Sequence, residues 1–147
     1  MLYNNAYNIR LASNGDAMSD LQNSKGNETI LIVDDEHMVR NMLIFYLKDF
    51  GYQIMTAEDG EEAIKIFKQH VDTIKAVIMD VVMPHKDGIT AYGEMKKINP
   101  DANIFLISGN PNSLAQLEKS PTIPFIAKPF NPYDIADKIR ASIDRTA

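Results

Sequence analysis

The chain has 147 residues, of which 45% are hydrophobic and 24% are charged, a balance typical of one compact globular domain. The net charge of −5 argues against a domain that binds nucleic-acid phosphates directly, and the absence of cysteine excludes disulfides and thiolate metal sites. The sequence shows neither a signal-peptide pattern nor an apolar run near the ~20 residues of a membrane helix, so we expect a cytoplasmic protein without membrane insertion.

Residues 1–28 are rich in Asn, Ser and Gly and show no regular hydrophobic period, which is typical of a flexible N-terminal arm. The arm also holds apolar residues that could dock as a short helix or strand, namely Leu2, Tyr3, Tyr7, Ile9 and Leu11. The pattern changes at Thr29, and we predict a folded domain over residues 29–147.

Five short apolar segments alternate with helical patterns along this domain. The predicted strands cover residues 29–35, 52–58, 76–80, 103–108 and 123–128. Most are apolar throughout, as expected for parallel strands that are covered on both faces. Gly51 and Pro100 are expected to end the first and third helices. Asp59 and Asp87 are the predicted N-caps of the second and third, and the fourth helix, around residues 112–119, has a weak pattern.

The alternation of strands and helices predicts an α/β fold, an open, doubly wound sheet of five parallel strands with right-handed crossovers. We expect the strand order 2-1-3-4-5, which is common among such sheets. Pro124 favours an edge position for the fifth strand, because proline has no N–H to donate to a neighbouring strand.

Polar side chains stand where the predicted strands end. The first strand ends in Asp34 and Asp35, the third in Asp80, the fourth in Ser108 and the fifth in Lys128. Ligands of open α/β sheets bind beyond these carboxyl ends, so the three carboxylates of the adjacent strands 1 and 3 should converge. Carboxylates this close repel one another, and a hard divalent cation removes the repulsion. Mg²⁺ fits best, because it needs few protein carboxylates and keeps several waters.

A metal site beside a carboxylate, a hydroxyl and an ammonium group is suited to phosphoryl transfer, which needs alignment and charge neutralisation. Asp80 ends an apolar strand that offers it no structural role, and a carboxylate can act as a nucleophile. Lys128 can neutralise one side of a phosphoryl group, and Ser108 can donate a hydrogen bond to one of its oxygens.

Four motifs, LIVDDE, AVIMDVVMPHKDG, LISG and FIAKPF, stand in this order at the ends of four of the predicted strands. In this order and spacing they resemble the receiver domain of two-component response regulators, over roughly residues 29–145. The resemblance implies the flavodoxin-like receiver fold and a role in signal transduction.

The resemblance also implies roles for particular residues. Asp80 would be the phosphoacceptor, which takes a phosphoryl group from a phosphohistidine of a sensor histidine kinase or histidine phosphotransfer protein. Asp35 would bind Mg²⁺ directly and Asp34 through water. The main-chain carbonyl of Val82 would complete the protein's share of the metal ligands, and Lys128 would contact the phosphoryl group.

A conformational switch is implied as well. Ser108 would be the hydroxyl that moves toward the phosphoryl group, and Phe125 the aromatic side chain that turns inward to fill the space. The face formed by helix 4, strand 5 and helix 5 would change and bind a downstream protein target. Phe125 could instead be a simple core residue. The bond between Lys128 and Pro129 would be cis.

Two positions depart from the family pattern. Val82 is apolar where many receivers carry a polar side chain that can influence water near the phosphoryl group, so we expect slow loss of the phosphoryl group. The segment SPTIPFIAKPF lacks the charged pattern through which one large subfamily of DNA-binding regulators dimerises.

Other interpretations stay open at this point. A metal-dependent phosphohydrolase would use similar chemistry, but usually has a second acid two residues after the nucleophile, where this chain has Val82. A flavin-binding protein would need a Ser-, Thr- or Gly-rich loop in place of DDEHM. Asp34 or Asp35 could simply cap the first helix. The chain ends after the fifth helix, which favours a stand-alone signalling module rather than an enzyme. A receiver cut from a larger regulator or hybrid kinase is the alternative.

Overall fold

The computed structural model describes residues 25–146 of the chain. Its five strands are β1 (Thr29–Val33), β2 (Gln53–Ala57), β3 (Ile74–Asp80), β4 (Ile104–Ser108) and β5 (Phe125–Ala127). Five helices alternate with them, namely α1 (His37–Asp49), α2 (Gly60–Gln69), α3 (Gly88–Ile98), α4 (Pro111–Glu118) and α5 (Pro132–Thr146). None of these five helices is long and apolar enough to cross a membrane.

The strands form one parallel sheet in the order β2-β1-β3-β4-β5, which confirms the predicted order. Strand β1 is paired with β3 so that Val33 lies opposite Met79. The residues that follow both strands therefore emerge side by side at one edge of the sheet. Strand β5 lies at the side edge beside β4, and Pro124 contributes its carbonyl oxygen, which accepts the N–H of Leu106.

Both faces of the sheet are covered over its central strands, which explains why most of the strands are largely apolar. The edge strand β2 is the exception, because Gln53 and Thr56 are exposed. Alternate strand residues point to opposite faces, so Leu31 packs in the core beneath α2, α3 and α4, whereas its neighbour Ile32 packs in the core beneath α1 and α5. These two cores hold the carboxyl edge of the sheet in place, where the predicted site lies.

The predicted helix ends are largely confirmed. Gly51 follows α1 with a φ of 98°, a left-handed conformation that glycine adopts without strain. Asp59 caps α2 by accepting the N–H of Glu62 at 2.9 Å, and Asp87 caps α3 by accepting the N–H of Thr90 at 2.8 Å. The fourth helix is regular over eight residues.

Several predicted strand bounds were wrong by a few residues. Strand β1 stops at Val33, because the chain turns toward α1 through residues 34–36. Strand β3 begins two residues before Ala76, and β5 is limited to three residues. Proline has no N–H to pair before β5, and the Lys128–Pro129 peptide bond after it is cis, as expected.

The end of the predicted arm contacts the domain. The N–H of Gly26 donates to the carbonyl oxygen of Phe50 at 3.0 Å, and the carboxylate of Glu28 pairs with the Arg140 guanidinium at 2.9 Å. Residues 1–24 of the arm, including its predicted docking residues, lie outside the described part of the chain.

Candidate functional site

Asp80 is the last residue of β3, a strand whose residues are buried except Lys75. The side chain of Asp80 is itself only slightly exposed, and its Oδ1 accepts the N–H of Val81 at 3.0 Å. The same N–H also donates to the main-chain oxygen of Ile107 at 3.0 Å, so the carboxylate is held beside the pairing of β3 with β4.

Asp34 and Asp35 lie in the turn between β1 and α1. Asp34 is 2% exposed, and its Oδ1 accepts the N–H of Glu36 at 2.8 Å, whereas Asp35 is exposed. Glu36 is the N-cap residue of α1 and makes no side-chain capping bond. The alternative in which either aspartate caps α1 was therefore wrong, since the hydrogen bond of Asp34 closes a local turn instead.

The three carboxylates converge as the sequence predicts. One carboxylate oxygen from each of Asp34, Asp35 and Asp80 lies within 4.8 Å of the others. The ammonium group of Lys128 lies 3.6 Å from Asp80 Oδ1 and 3.8 Å from Asp34 Oδ2. Lys128 is thus paired electrostatically with both buried carboxylates, at distances longer than a hydrogen bond.

Ser108 reaches the same edge from β4. It is 1% exposed, and its Oγ accepts the N–H of Asn110 at 3.1 Å. Its main-chain oxygen accepts the N–H of Lys128 at 2.8 Å. The serine and the lysine therefore hold neighbouring places on the same side of the pocket.

The electrostatic state of these carboxylates follows from their crowding and burial. Burial, followed by the charge of Asp34, raises the pKa of Asp80 to about 6, although Lys128 acts in the opposite direction. Burial is also the main reason why the pKa of Asp34 lies above its usual value. Lys128 thus compensates only part of the cost of ionising the two buried carboxyls, Asp34 and Asp80. A further cation beside them would therefore be bound favourably.

The donor set fits a hard divalent cation. Three carboxylates offer oxygen ligands only. Two of them, Asp35 and Asp80, line an open cleft of about 360 Å³ together with Val82, Ser108 and Lys128. Oxygen ligands with space for retained waters are the environment that Mg²⁺ prefers.

The connection from β3 to α3 passes close to the pocket. Val82, two residues after Asp80, is 55% exposed and lies at the mouth of the cleft. The N–H of Gly88 donates to the carbonyl oxygen of Val81 at 2.8 Å, and a Cβ at Gly88 would collide with the main-chain oxygen of Asp80. Glycine at this position allows α3 to begin directly against the end of β3.

Phe125 lies outside the pocket, as the first residue of β5 opposite Leu106 of β4. Its side chain is half-buried and packs at the margin of the core beneath α2, α3 and α4. Both roles predicted for Phe125, switch aromatic and core residue, stay predictions.

One residue at the site was missed by sequence reasoning. Arg40 of α1 is 7% exposed, and its guanidinium Nη1 donates to the main-chain oxygen of Asp34 at 2.6 Å. The available signal was its position, because Arg40 shares the buried stripe of α1 with Leu43 and Leu47.

Comparison with known proteins gives a consistent match. The family model described as "Response regulator receiver domain" matches residues 30–140. The chain is 35% identical over 120 residues to the chemotaxis protein CheY of Bacillus subtilis (strain 168), covering 80% of this chain and 95% of that protein. It is 36% identical over 124 residues to the probable transcriptional regulator ycf27 of Guillardia theta, covering 81% of this chain. The chain spans 46% of that regulator, about half of its length.

A solved structure shows the same likeness. The response regulator protein TrrA from Thermotoga maritima, crystallised in complex with Mg(2+)-BeF, is 34% identical and superimposes with a TM-score of 0.70. The alignment covers 78% of this chain and 98% of TrrA. With its parallel sheet and its acidic pocket, this chain belongs to the response regulator receiver domain family.

Proposed function

We propose that this domain accepts a phosphoryl group on Asp80 from the phosphohistidine of a sensor histidine kinase or a histidine phosphotransfer protein, in a Mg²⁺-dependent reaction. The observation that carries the proposal is the convergence of Asp34, Asp35 and Asp80 with Lys128 at one edge of the sheet. The complex of its relative TrrA with Mg(2+)-BeF supports it.

The transfer exchanges one bond for another. A carboxylate oxygen of Asp80 forms a bond to phosphorus while the bond between phosphorus and the donor imidazole nitrogen breaks, and that nitrogen keeps the electron pair. The pKa of about 6 leaves Asp80 mostly ionised at neutral pH and thus able to attack. The hydrogen bond from the N–H of Val81 keeps the carboxylate oriented toward the cleft.

The cation site is proposed on the same residues. Asp35 and Asp80, with the main-chain carbonyl of Val82, would bind Mg²⁺ directly, and Asp34 would bind it through water. The exposure of Asp35 and the engagement of Asp34 Oδ1 by the N–H of Glu36 support this division. When bound, Mg²⁺ would neutralise the carboxylates and the transferring phosphoryl oxygens.

Lys128 and Ser108 would stabilise the product. The Lys128 ammonium, 3.6 Å from Asp80 Oδ1, is close enough to contact an oxygen of a phosphoryl group on Asp80. The Ser108 hydroxyl now accepts from Asn110, so its own proton is available for a phosphoryl oxygen. Such a contact would draw Ser108 toward Asp80 and leave space that Phe125 of the neighbouring strand could fill.

The proposed output is protein binding through the face of α4, β5 and α5. Receiver domains are signalling modules, and the family match favours this interpretation over a phosphohydrolase or a flavin-binding protein. We propose contact with a downstream protein and no direct contact of this domain with nucleic acid. The exposed Val82, at the position where such hydrolases carry a second acid, also favours a receiver.

The experiment is phosphorylation with acetyl phosphate and Mg²⁺, followed by the intact mass. We expect a gain of about 80 Da, one phosphoryl group, in the wild type and in Asp87→Asn, whose carboxylate caps α3. We expect no gain in Asp80→Asn, and none in the wild type when EDTA removes the metal. An equal gain in Asp80→Asn, or none in folded wild type with Mg²⁺, would overturn the proposal.

A further inference from the structure

Arg40 is a buried charged residue whose contacts lie beside the acidic pocket. Its Nη1 donates to the main-chain oxygen of Asp34 at 2.6 Å, and its Nη2 lies 3.5 Å from the exposed carboxylate of Glu58, just after β2. A buried guanidinium is unfavourable unless acceptors satisfy its N–H groups. Of the two acceptors, the buried carbonyl of Asp34 is the closer and the better shielded from solvent.

The polar groups of Asp34 are held on three sides. Its N–H donates to the carbonyl oxygen of Ala57 at 3.2 Å, its carbonyl oxygen accepts from Arg40, and its Oδ1 accepts the N–H of Glu36. The remaining carboxylate oxygen, Oδ2, is the one 3.8 Å from the ammonium group of Lys128. Fixing the main chain at Asp34 thus aims Oδ2 into the pocket.

We propose that Arg40 is a positioning residue for the acidic pocket. By holding the carbonyl of Asp34 it fixes the turn through Asp34 and Asp35, and this turn places both carboxylates opposite Asp80 and any divalent cation bound there. Arg40 acts through the main chain, because its short contact is to a carbonyl oxygen and not to a carboxylate of the pocket. The inference rests on the proposed function only in its use of Mg²⁺ as a probe.

A matched pair of substitutions separates positioning from general stabilisation. Arg40→Met removes the contact to Asp34. Arg140→Met removes an ion pair at the opposite edge of the sheet, in which Nη2 of Arg140 lies 2.9 Å from Oε1 of Glu28. We expect calorimetric titration with Mg²⁺ to show about 10–100-fold weaker binding for Arg40→Met, as for other residues that orient metal ligands. Arg140→Met should bind Mg²⁺ within twofold of the wild type, although both variants lose stability.

Arg40→Lys covers the case in which the methionine variant does not fold. Its ammonium group can reach one acceptor but lacks the planar fork of arginine, so we expect Mg²⁺ affinity between those of Arg40→Met and the wild type. Far-UV circular dichroism at the titration temperature checks that each variant is folded. Wild-type affinity in folded Arg40→Met, or in Arg40→Lys should the former not fold, would overturn the proposal.

A second readout needs no metal. In amide ¹H–¹⁵N spectra, Arg40→Met, or Arg40→Lys in its place, should shift the amide resonances of Asp35 and Glu36. It should also shift the resonance of Val81, whose N–H donates to the Asp80 carboxylate across the pocket. Shifts confined to α1 would mean that Arg40 only stabilises its own helix. Wild-type protein that binds no Mg²⁺ would count against the proposed function, and the shift at Val81 would then decide the role of Arg40 by itself.

Discussion

The ammonium nitrogen of Lys128 lies 3.6 Å from Oδ1 of Asp80, so the end of β5 supplies a positive charge to the carboxylate at the end of β3. The two strands are separated by β4 in the sheet, but both end at its carboxyl edge, where the two side chains meet. The pKa of Asp80, about 6, shows that this charge does not cancel the effects of burial and of Asp34. Four predictions follow from this arrangement and from the structure around it.

Replacing Lys128 should raise the pKa of Asp80 further. Lys128 lowers that pKa in the wild type, so Lys128→Met should move the titration of Asp80 above pH 6 and abolish most phosphorylation by acetyl phosphate. Carboxyl ¹³C NMR without metal measures the titration. Lys75→Met, which removes an exposed lysine of β3, is the control and should leave Asp80 unchanged. An unchanged titration in Lys128→Met would contradict the assigned pairing.

Asp80 should destabilise the metal-free fold at neutral pH. Its pKa is higher in the folded chain than the 3.8 of an unperturbed carboxyl, so the folded state binds the proton more tightly. The contribution of Asp80 to the free energy of unfolding therefore falls as the pH rises from about 4 to about 6, and stays low above that. Asp80→Asn should be more stable than the wild type by about 1–3 kcal/mol at pH 7, and the difference should vanish near pH 4.

Urea unfolding in EDTA at several pH values measures this effect. Asp72→Asn, which alters an exposed carboxylate before β3, is the control and should follow the wild-type pH dependence. A wild type whose stability relative to Asp80→Asn does not change between pH 4 and pH 7 would show that Asp80 has an ordinary pKa.

Gly88 and Gly93 form a matched pair on α3. A Cβ at Gly88 would collide with the main-chain oxygen of Asp80 and lie 2.9 Å from Cα of Val81, whereas a Cβ at Gly93 would meet no atom within 4 Å. We expect Gly88→Ala to lower the free energy of unfolding by about 1–3 kcal/mol and to weaken Mg²⁺ binding, because the end of β3 must shift. Gly93→Ala should raise the free energy of unfolding by up to about 1 kcal/mol.

Chemical unfolding measures the free energy of unfolding of both glycine variants. The two values can be compared directly, since each variant adds one methyl group to the same helix. Equal effects of the two substitutions would mean that α3 does not press on the end of β3 in solution.

Val82 should make the phosphoryl group long-lived. Its apolar side chain, 55% exposed at the mouth of the cleft, cannot orient a water molecule for attack on phosphorus. We expect Val82→Asn to lose the group several-fold faster than the wild type, and Val82→Ala to lose it at nearly the wild-type rate. The decay of the phosphorylated mass after removal of acetyl phosphate measures both. A wild-type half-life of seconds at neutral pH would contradict this account.

The sequence was informative where a residue conflicts with its surroundings. Asp80 could be predicted because a carboxylate at the end of an apolar strand has no structural reason to be there. The alternation of strands and helices predicted a doubly wound parallel sheet, and the strand order was chosen because 2-1-3-4-5 is common among such sheets. Arg40 was missed because an arginine in an amphipathic helix is usually solvated. Only the structure of the turn after β1 shows that the main-chain carbonyl of Asp34 faces the guanidinium of Arg40.

Strand ends were predicted less well, for a related reason. The apolar run through residues 123–128 continues beyond the three residues of β5, because hydrophobicity reports burial and not the pairing of main-chain groups. Similarly, the pocket residues could be predicted as a group, whereas the distances that separate Lys128 from its two carboxylates required the structure.

The central claim is that Asp80 is the residue that carries the phosphoryl group. Borohydride reduction of the acetyl phosphate-treated protein converts an aspartyl phosphate to homoserine, and peptide mass spectrometry then locates it in the chain. We predict homoserine at position 80 alone, dependent on Mg²⁺. Homoserine at position 34 or 35, or at no position in protein that has gained the phosphoryl mass, would contradict the account.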